Sequence, residues 1–278
     1  MLIKILVTTD FSENSKAGLH FAIQLASQAK YELVFFHTLH VMVPTAWHNT
    51  NIQVYEESEV KRFEVQLRLF VKEVYEQLQI TPGIINCVVK NSVFSQSNIM
   101  EYAAENNFKY ICISTKGAGK VARLLGTNTG NLINHSDVPV IAVPYNYKIT
   151  QVKSILLASD LISIKKEIPA AVAFAEPLGA KIELLHLTSV FEHNADLTAI
   201  ETNVKEESSY PVHFNFINRD PDTSLITDIE TAVQKMKPSI MIMFTEQNRS
   251  WFEKIFLSSK SAEYSFNAKV PLLVFKKT

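Results

Sequence analysis

The 278-residue chain is predicted to be α/β, made of two tandem copies of an open, doubly wound, five-stranded parallel sheet. Three observations carry that expectation. Apolar runs of strand length alternate with segments of helical period along each half. Those runs are continuously apolar rather than alternating, as strands buried on both faces by helices are. The chain also repeats itself: Ile5-Leu6-Val7-Thr8-Thr9-Asp10 returns as Ile155-Leu156-Leu157-Ala158-Ser159-Asp160, and Val138-Pro139-Val140-Ile141-Ala142-Val143 as Val270-Pro271-Leu272-Leu273-Val274-Phe275. The offset falls from 150 (Ile5 to Ile155) to 132 (Val138 to Val270), and the first half carries the extra segment 41–62. Residues 145–152 are polar and without apolar period, which sets the expected domains at 1–146 and 147–278.

In the first half, Ile3–Thr8 reads as a strand. Residues 13–30 place Ala17, Phe21, Ala22, Leu25, Ala26 and Ala29 on one helical face. Leu33–His37 is the second strand, echoed by Ile182-Glu183-Leu184-Leu185-His186. A long helix over 54–79 has the stripe Phe63, Leu67, Phe70, Val74 and Leu78. Ile84–Val89 is the third strand, Ser97–Asn107 a helix and Tyr110–Ser114 the fourth strand. A glycine-containing loop and a short helix lead to the fifth strand, Val138–Val143. Ligands of such a sheet are expected beyond the carboxyl ends of its strands.

Composition narrows the partners. Lys+Arg 27 against Asp+Glu 28 leaves a net charge of -1, so no basic footprint recommends nucleic acid. No apolar run approaches the ~20 residues of a membrane span. Met1–Val7 enters a strand directly, without the apolar region of a signal peptide, so a cytoplasmic location is expected. Cys87 and Cys112 sit inside strand-like runs, without metal-ligand spacing, and read as small buried hydrophobes.

Three of the 7 glycines, Gly117, Gly119 and Gly126, follow the fourth strand. Such a loop either lets bare backbone amides reach a phosphate or is simply a loop. It is not a Walker A loop, which needs Gly at 114 and Ser or Thr at 121, where Ser114 and Val121 stand. Gly117-Ala118-Gly119-Lys120-Val121-Ala122 fits GxGxxG/A, but Asp137, twenty residues on, precedes the next strand instead of ending it. His37 and His40 follow strand two, but neither a third metal ligand nor a dry, ordered loop around His48 is visible, so they read as polar loop or strand-end residues. No GxSxG, HExxH or carboxylate pair demands a catalytic role, and no enzyme is expected.

Together these residues resemble the universal stress protein family, as two copies across essentially the whole chain. Ile5-Leu6-Val7-Thr8-Thr9-Asp10-Phe11-Ser12-Glu13 looks like that family's opening strand and threonine-aspartate turn. Ser114-Thr115-Lys116-Gly117, then Leu124-Leu125-Gly126-Thr127-Asn128-Thr129, is similar to its ATP pattern G-x-x-G, nine residues, G-[ST]. The resemblance implies a Rossmann-like fold and a stress-response regulator binding ATP, with Mg²⁺ as its companion ion. Asp10 beside Thr9, and Thr38 after the strand-two histidine, would then lie at the adenosine. Gly117, Gly119, Gly126 and Thr127 would hold the phosphates, with Ile113, Ser114 and Asn128 completing the site.

Two departures bear on this: Ser114 replaces the first glycine, and eight residues rather than nine separate Gly117 from Gly126. In the second half Thr245-Glu246-Gln247-Asn248-Arg249-Ser250-Trp251-Phe252 stands where glycines should, and no glycine follows Gly179. That half is expected not to bind ATP. It is expected to supply by intramolecular pairing, through the fifth strands, the surface that the family usually takes from a second subunit; a further homodimer stays open. Two other classes compete: a scaffold acting through protein contacts without nucleotide, and an ATP-using enzyme of the wider α-hydrolase type. The enzyme would need an SGGxDS-like loop where Thr8-Thr9-Asp10-Phe11-Ser12 stands. Trp47, His48 and Tyr55 of the extra segment are placed to form a lid.

Overall fold

In each unit parallel strands alternate with helices, and the central strands are the most deeply buried. The computed structural model describes residues 2–43, 49–115, 127–188, 194–220, 222–245 and 270–277. It divides into two compact units, Met1–Ile149 and Thr150–Thr278.

In the first unit β1 (Ile3–Thr8), β2 (Tyr31–Leu39), β3 (Asn86–Asn91), β4 (Tyr110–Ser114) and β5 (Val140–Val143) are joined through α1 (Lys16–Gln28), α2 (Asn49–Gln77), α3 (Ser95–Glu105) and α4 (Thr127–His135). The strand order is β3-β2-β1-β4-β5, parallel throughout. Ile5, Leu6 and Val7 of β1 and Ile111 and Cys112 of β4 are fully buried, which is why neither strand alternates. α1, with Leu19 and Leu25 buried, packs on β1, β2 and β4, while α2, with Leu67, Val71 and Val74 buried, packs on β2 and β3.

Among the boundaries that differ from the sequence expectation, three are instructive. β3 starts at Asn86, not Ile84, because the Ile85 carbonyl accepts from Arg68 Nη1 at 2.7 Å and Ile84 is exposed. β5 starts at Val140: the Val138 amide goes to Ser136 Oγ at 3.1 Å, and Pro139 has no amide to give. α2 begins at Asn49, ahead of the apolar stripe that foretold it, so much of the extra segment is helix. Trp47 and His48 lie outside the described residues.

The second unit repeats the plan. β6 (Ser154–Ala158), β7 (Lys181–Thr188), β8 (Val212–Asn218), β9 (Ile240–Thr245) and β10 (Leu272–Lys276) are parallel in the order β10-β9-β6-β7-β8. Among its described helices are α5 (Ile164–Ala175), α6 (Asn194–Glu207) and α7 (Leu225–Met236). Ala171, Phe174 and Ala175 of α5 are fully buried. Ser224 caps α7, accepting from Thr227 N at 3.2 Å.

Candidate functional site

In the first unit the chain steps from β1 outward to β2 and β3, then returns to the other side of β1 with β4 and β5. Open α/β sheets take their ligands at such a reversal, beyond the carboxyl ends of the strands, here β1 and β4. Thr8 is level with Phe36 and Val7 with Cys112, so the next residue, Thr9, reaches the edge between His37 and Ser114. Its amide donates to the Phe36 carbonyl at 3.0 Å.

The turn that follows is tied down residue by residue. Thr9 Oγ1 pairs with Ser15 Oγ at 2.7 Å and accepts from the Phe11 amide at 3.1 Å. Asp10 is exposed, and its Oδ1 accepts from the Ser12 amide at 3.0 Å and Ser12 Oγ at 2.6 Å, an Asx turn that fixes the carboxylate. Phe11 adopts φ 62°, a left-handed conformation that a bulky residue enters only under constraint. Its ring rests on His37 (4.5 Å between centroids) and Phe70 (5.5 Å), while Phe63 stacks on the imidazole at 5.7 Å. His37 Nδ1–H donates to the Thr9 carbonyl at 2.8 Å, bracing the turn from β2. One residue on, Thr38 sits in register with Lys90, and its buried hydroxyl has no partner among the described residues.

β4 ends in a knot of backbone and side chain. Ser114 Oγ donates to the Asn14 carbonyl at 2.7 Å, and Thr129 Oγ1 of α4 donates to the Ser114 carbonyl at 3.1 Å. Gly18 of α1 lies against the same residue: a Cβ there would stand 3.1 Å from the Ser114 amide nitrogen. Ser114 has no positive φ, so the backbone freedom of glycine is not what this position uses. The tight approach comes instead from α1. On the far side Gln96 of α3 donates to Asn128 Oδ1 at 2.7 Å and accepts from Asn131 Nδ2 at 2.9 Å, fastening the first turns of α3 and α4 together.

The second unit makes the same turn. The Ser159 amide donates to the Leu185 carbonyl, His186 Nδ1–H to the Ser159 carbonyl at 2.9 Å, and the Leu161 amide to Ser159 Oγ at 2.9 Å. Asp160 Oδ1 accepts from the Ile162 amide at 3.0 Å, and Leu161 has φ 66°. Beyond the turn the two units differ, because Ser159 Oγ donates to Glu167, a carboxylate 1% exposed.

The family model for universal stress proteins matches residues 1–144. The chain belongs to that family. As a universal stress protein, one of a family of stress-response proteins, it is similar along its whole length to solved structures. A universal stress protein from Archaeoglobus fulgidus superposes with a TM-score of 0.66 at 18% identity, covering 99% of this chain and 98% of that one. A protein assigned to the same family, from Pseudomonas aeruginosa, gives 0.60 at 13%, covering 99% and 93%. At these identities the likeness concerns the fold. No match was found among curated proteins.

Of the site residues expected in this universal stress protein, Thr9, Asp10, Thr38, Ile113 and Ser114 all lie at the carboxyl edge of β1, β2 and β4. Ile113 is half-buried beside Ala142, and Asn128 is exposed on the first turn of α4, bonded to Gln96. Thr127 opens α4, but its side chain, like Gly117, Gly119 and Gly126, lies outside the described residues. Sequence reasoning passed over Ser15, Gly18 and Gln96, and gave Thr129 no role of its own. Gly18 alone left a signal: a glycine inside a helix costs about 1 kcal/mol against alanine, so it asks for a packing reason. Among the described residues no helix is long and apolar enough to cross a membrane, and no group of three or more His, Cys, Asp or Glu could hold a metal.

The two units should answer acid in opposite senses. Burial lowers the pKa of His37 and of His20 from 6.5, so the unfolded first unit takes up protons before the folded one. Their contribution to stability is complete above pH 6.5 and is lost as pH falls below it. Burial raises the Glu167 pKa above 4.5, so this group favours the folded second unit at low pH, a gain lost as pH rises. Hydrogen exchange resolved by unit, at pH 7 and pH 5, should show the first unit loosening, with the slope flattened by His20→Gln/His37→Gln. In the second unit Glu167→Gln should remove a slope of opposite sign. Slopes unchanged by these substitutions would refute the assignment.

Proposed function

We propose that the first unit, taken as residues 1–146, binds ATP with Mg²⁺, and that the protein acts as a non-enzymatic, nucleotide-responsive stress regulator in the cytoplasm. The second, residues 147–278, is a degenerate copy that binds no nucleotide. The observation that carries this reading is the convergence, at the point where the strand order reverses, of the Asp10 turn, the Thr38 hydroxyl, partnerless among the described residues, and the start of α4 at Thr127.

Each part fits a chemical demand of the ligand. The Asp10 carboxylate, held by Ser12, accepts from ribose hydroxyls. A buried hydroxyl without a partner is costly, and the polar edge of a base would supply one to Thr38. The first amides of α4 have no partner within the helix and suit phosphate oxygens. Mg²⁺ would offset phosphate charge that Asp10 alone could not tolerate.

Isothermal calorimetry of ATP with Mg²⁺ on the full chain should find one site. Asp10→Ala and Thr127→Ala should each weaken it by about 10–100-fold, the worth of one hydrogen bond to a charged group. A folded protein that gives no heat and carries no nucleotide would sink the proposal. It would favour the second reading, a contact scaffold, for which the specific observation is Ser114: its hydroxyl is committed to Asn14 where the family pattern has a glycine.

A further inference from the structure

The second unit keeps the aspartate turn but surrounds it with different chemistry. Glu167 projects from α5 with 1% exposure and accepts from Ser159 Oγ at 2.5 Å. Lys277, which follows β10, donates to Asp160 Oδ2 at 2.5 Å, and its ammonium lies 3.7 Å from Glu167 Oε1. The lysine side chain is only 11% exposed, whereas Asp160 is 48% exposed. By the repeat offsets, Glu167 and Lys277 stand where the first unit has Ala17 and Tyr145. Both charges of the pair are therefore particular to the second unit.

A carboxylate buried this deeply is tolerated when a cation and hydrogen bonds meet it. Here one ammonium faces two carboxylates from two elements, β6's turn and α5, while Ser159 satisfies the remaining oxygen of the buried one. That is the composition of a receptor for a primary ammonium group. We propose that Asp160, Glu167 and Ser159 form an ammonium-binding site that the chain fills with its own Lys277. The second unit's strand reversal is thus closed from within, by a ligand in cis, and holds its edge together at any nucleotide concentration. Only this last point rests on the reading that the second unit binds no nucleotide.

The test is chemical rescue in the full-length protein. Lys277→Ala should lower the melting temperature of the second unit on the order of 10 °C, since it leaves a buried charge unpaired. n-Butylammonium chloride should restore part of that loss, and tetramethylammonium chloride at the same ionic strength should not, because it cannot donate a hydrogen bond. In a Glu167→Gln background the same substitution should cost far less. Glu167→Gln/Lys277→Ala buries no lone charge, so it gives a reading even where Lys277→Ala does not fold, and it should ignore butylammonium. A loss equal in both backgrounds, or identical action of the two salts, would overturn the proposal. ATP calorimetry on Lys277→Ala should match the parent. An absence of ATP binding in both would count against the nucleotide site alone and leave the rescue result standing.

Discussion

Valine at position 18 will lift α1 off β4 and destabilise the first unit by about 3 kcal/mol or more, the upper end of overpacking costs. The reason is what the new atoms would meet. A Cβ at Gly18 stands 3.1 Å from the Ser114 nitrogen and 3.4 Å from the Ile113 carbonyl carbon, both main chain of a central strand. Side chains can rotate away from such a contact; a paired strand cannot. Alanine is the instructive comparison, because its helix propensity returns about 1 kcal/mol against an overpacking cost of about 1–3 kcal/mol. Gly18→Ala should therefore sit near neutrality to mild loss, and Gly18→Val far below it. Urea titrations of both variants measure this, and equal midpoints would show that α1 is not in the close contact described. Ser114 is the residue displaced, so its hydrogen bond to the Asn14 carbonyl should be lost together with stability in Gly18→Val.

Truncating Phe36 to alanine should cost about 3–5 kcal/mol, as large cavities in packed cores do. Phe36 is fully buried and stacks on Tyr102 at 4.9 Å, and Tyr102 meets Phe108 at 5.8 Å. This stack holds α3 to the sheet. Through Gln96, α3 in turn holds Asn128 and Asn131 of α4. Phe36→Ala should consequently loosen the edge of the candidate site as well as the core. Faster hydrogen exchange in both α3 and α4 is the expected sign; a loss of stability confined to β2 would show that the two helices are not coupled.

How much of this was legible in the residues depends on the range of the interaction. β1 and β4 fall where apolar runs place them, because a strand buried on both faces writes itself as a continuous run. β2 is longer at both ends than its apolar centre, Leu33–His37, since pairing with β1 begins at Tyr31 and pairing with β3 runs to Leu39. The start of α2 escaped because Asn49–Gln53 carries no stripe. At the site, the Thr9-Asp10 turn could be read from neighbouring residues. The contact of Gly18 with Ser114 spans 96 positions and the Lys277–Asp160 bond 117, and no local pattern announces either. The serine at 114 illustrates the limit from the other side. As a missing glycine it reads as a defect, whereas in place it is a strand residue with a hydrogen-bonded hydroxyl.

The matched turns, with Phe11 at φ 62° and Leu161 at φ 66°, carry one more lesson. Both units hold a large residue in a costly conformation and brace it with a histidine from the next strand. Only the first is followed by a glycine loop. Strain that persists where no ligand is expected belongs to chain reversal itself, to the way the first strand hands over to the first helix. An aspartate turn of this kind is therefore a mark of architecture. The turn alone says nothing about a nucleotide in a homologue, and in the second unit the same aspartate takes the ammonium of Lys277.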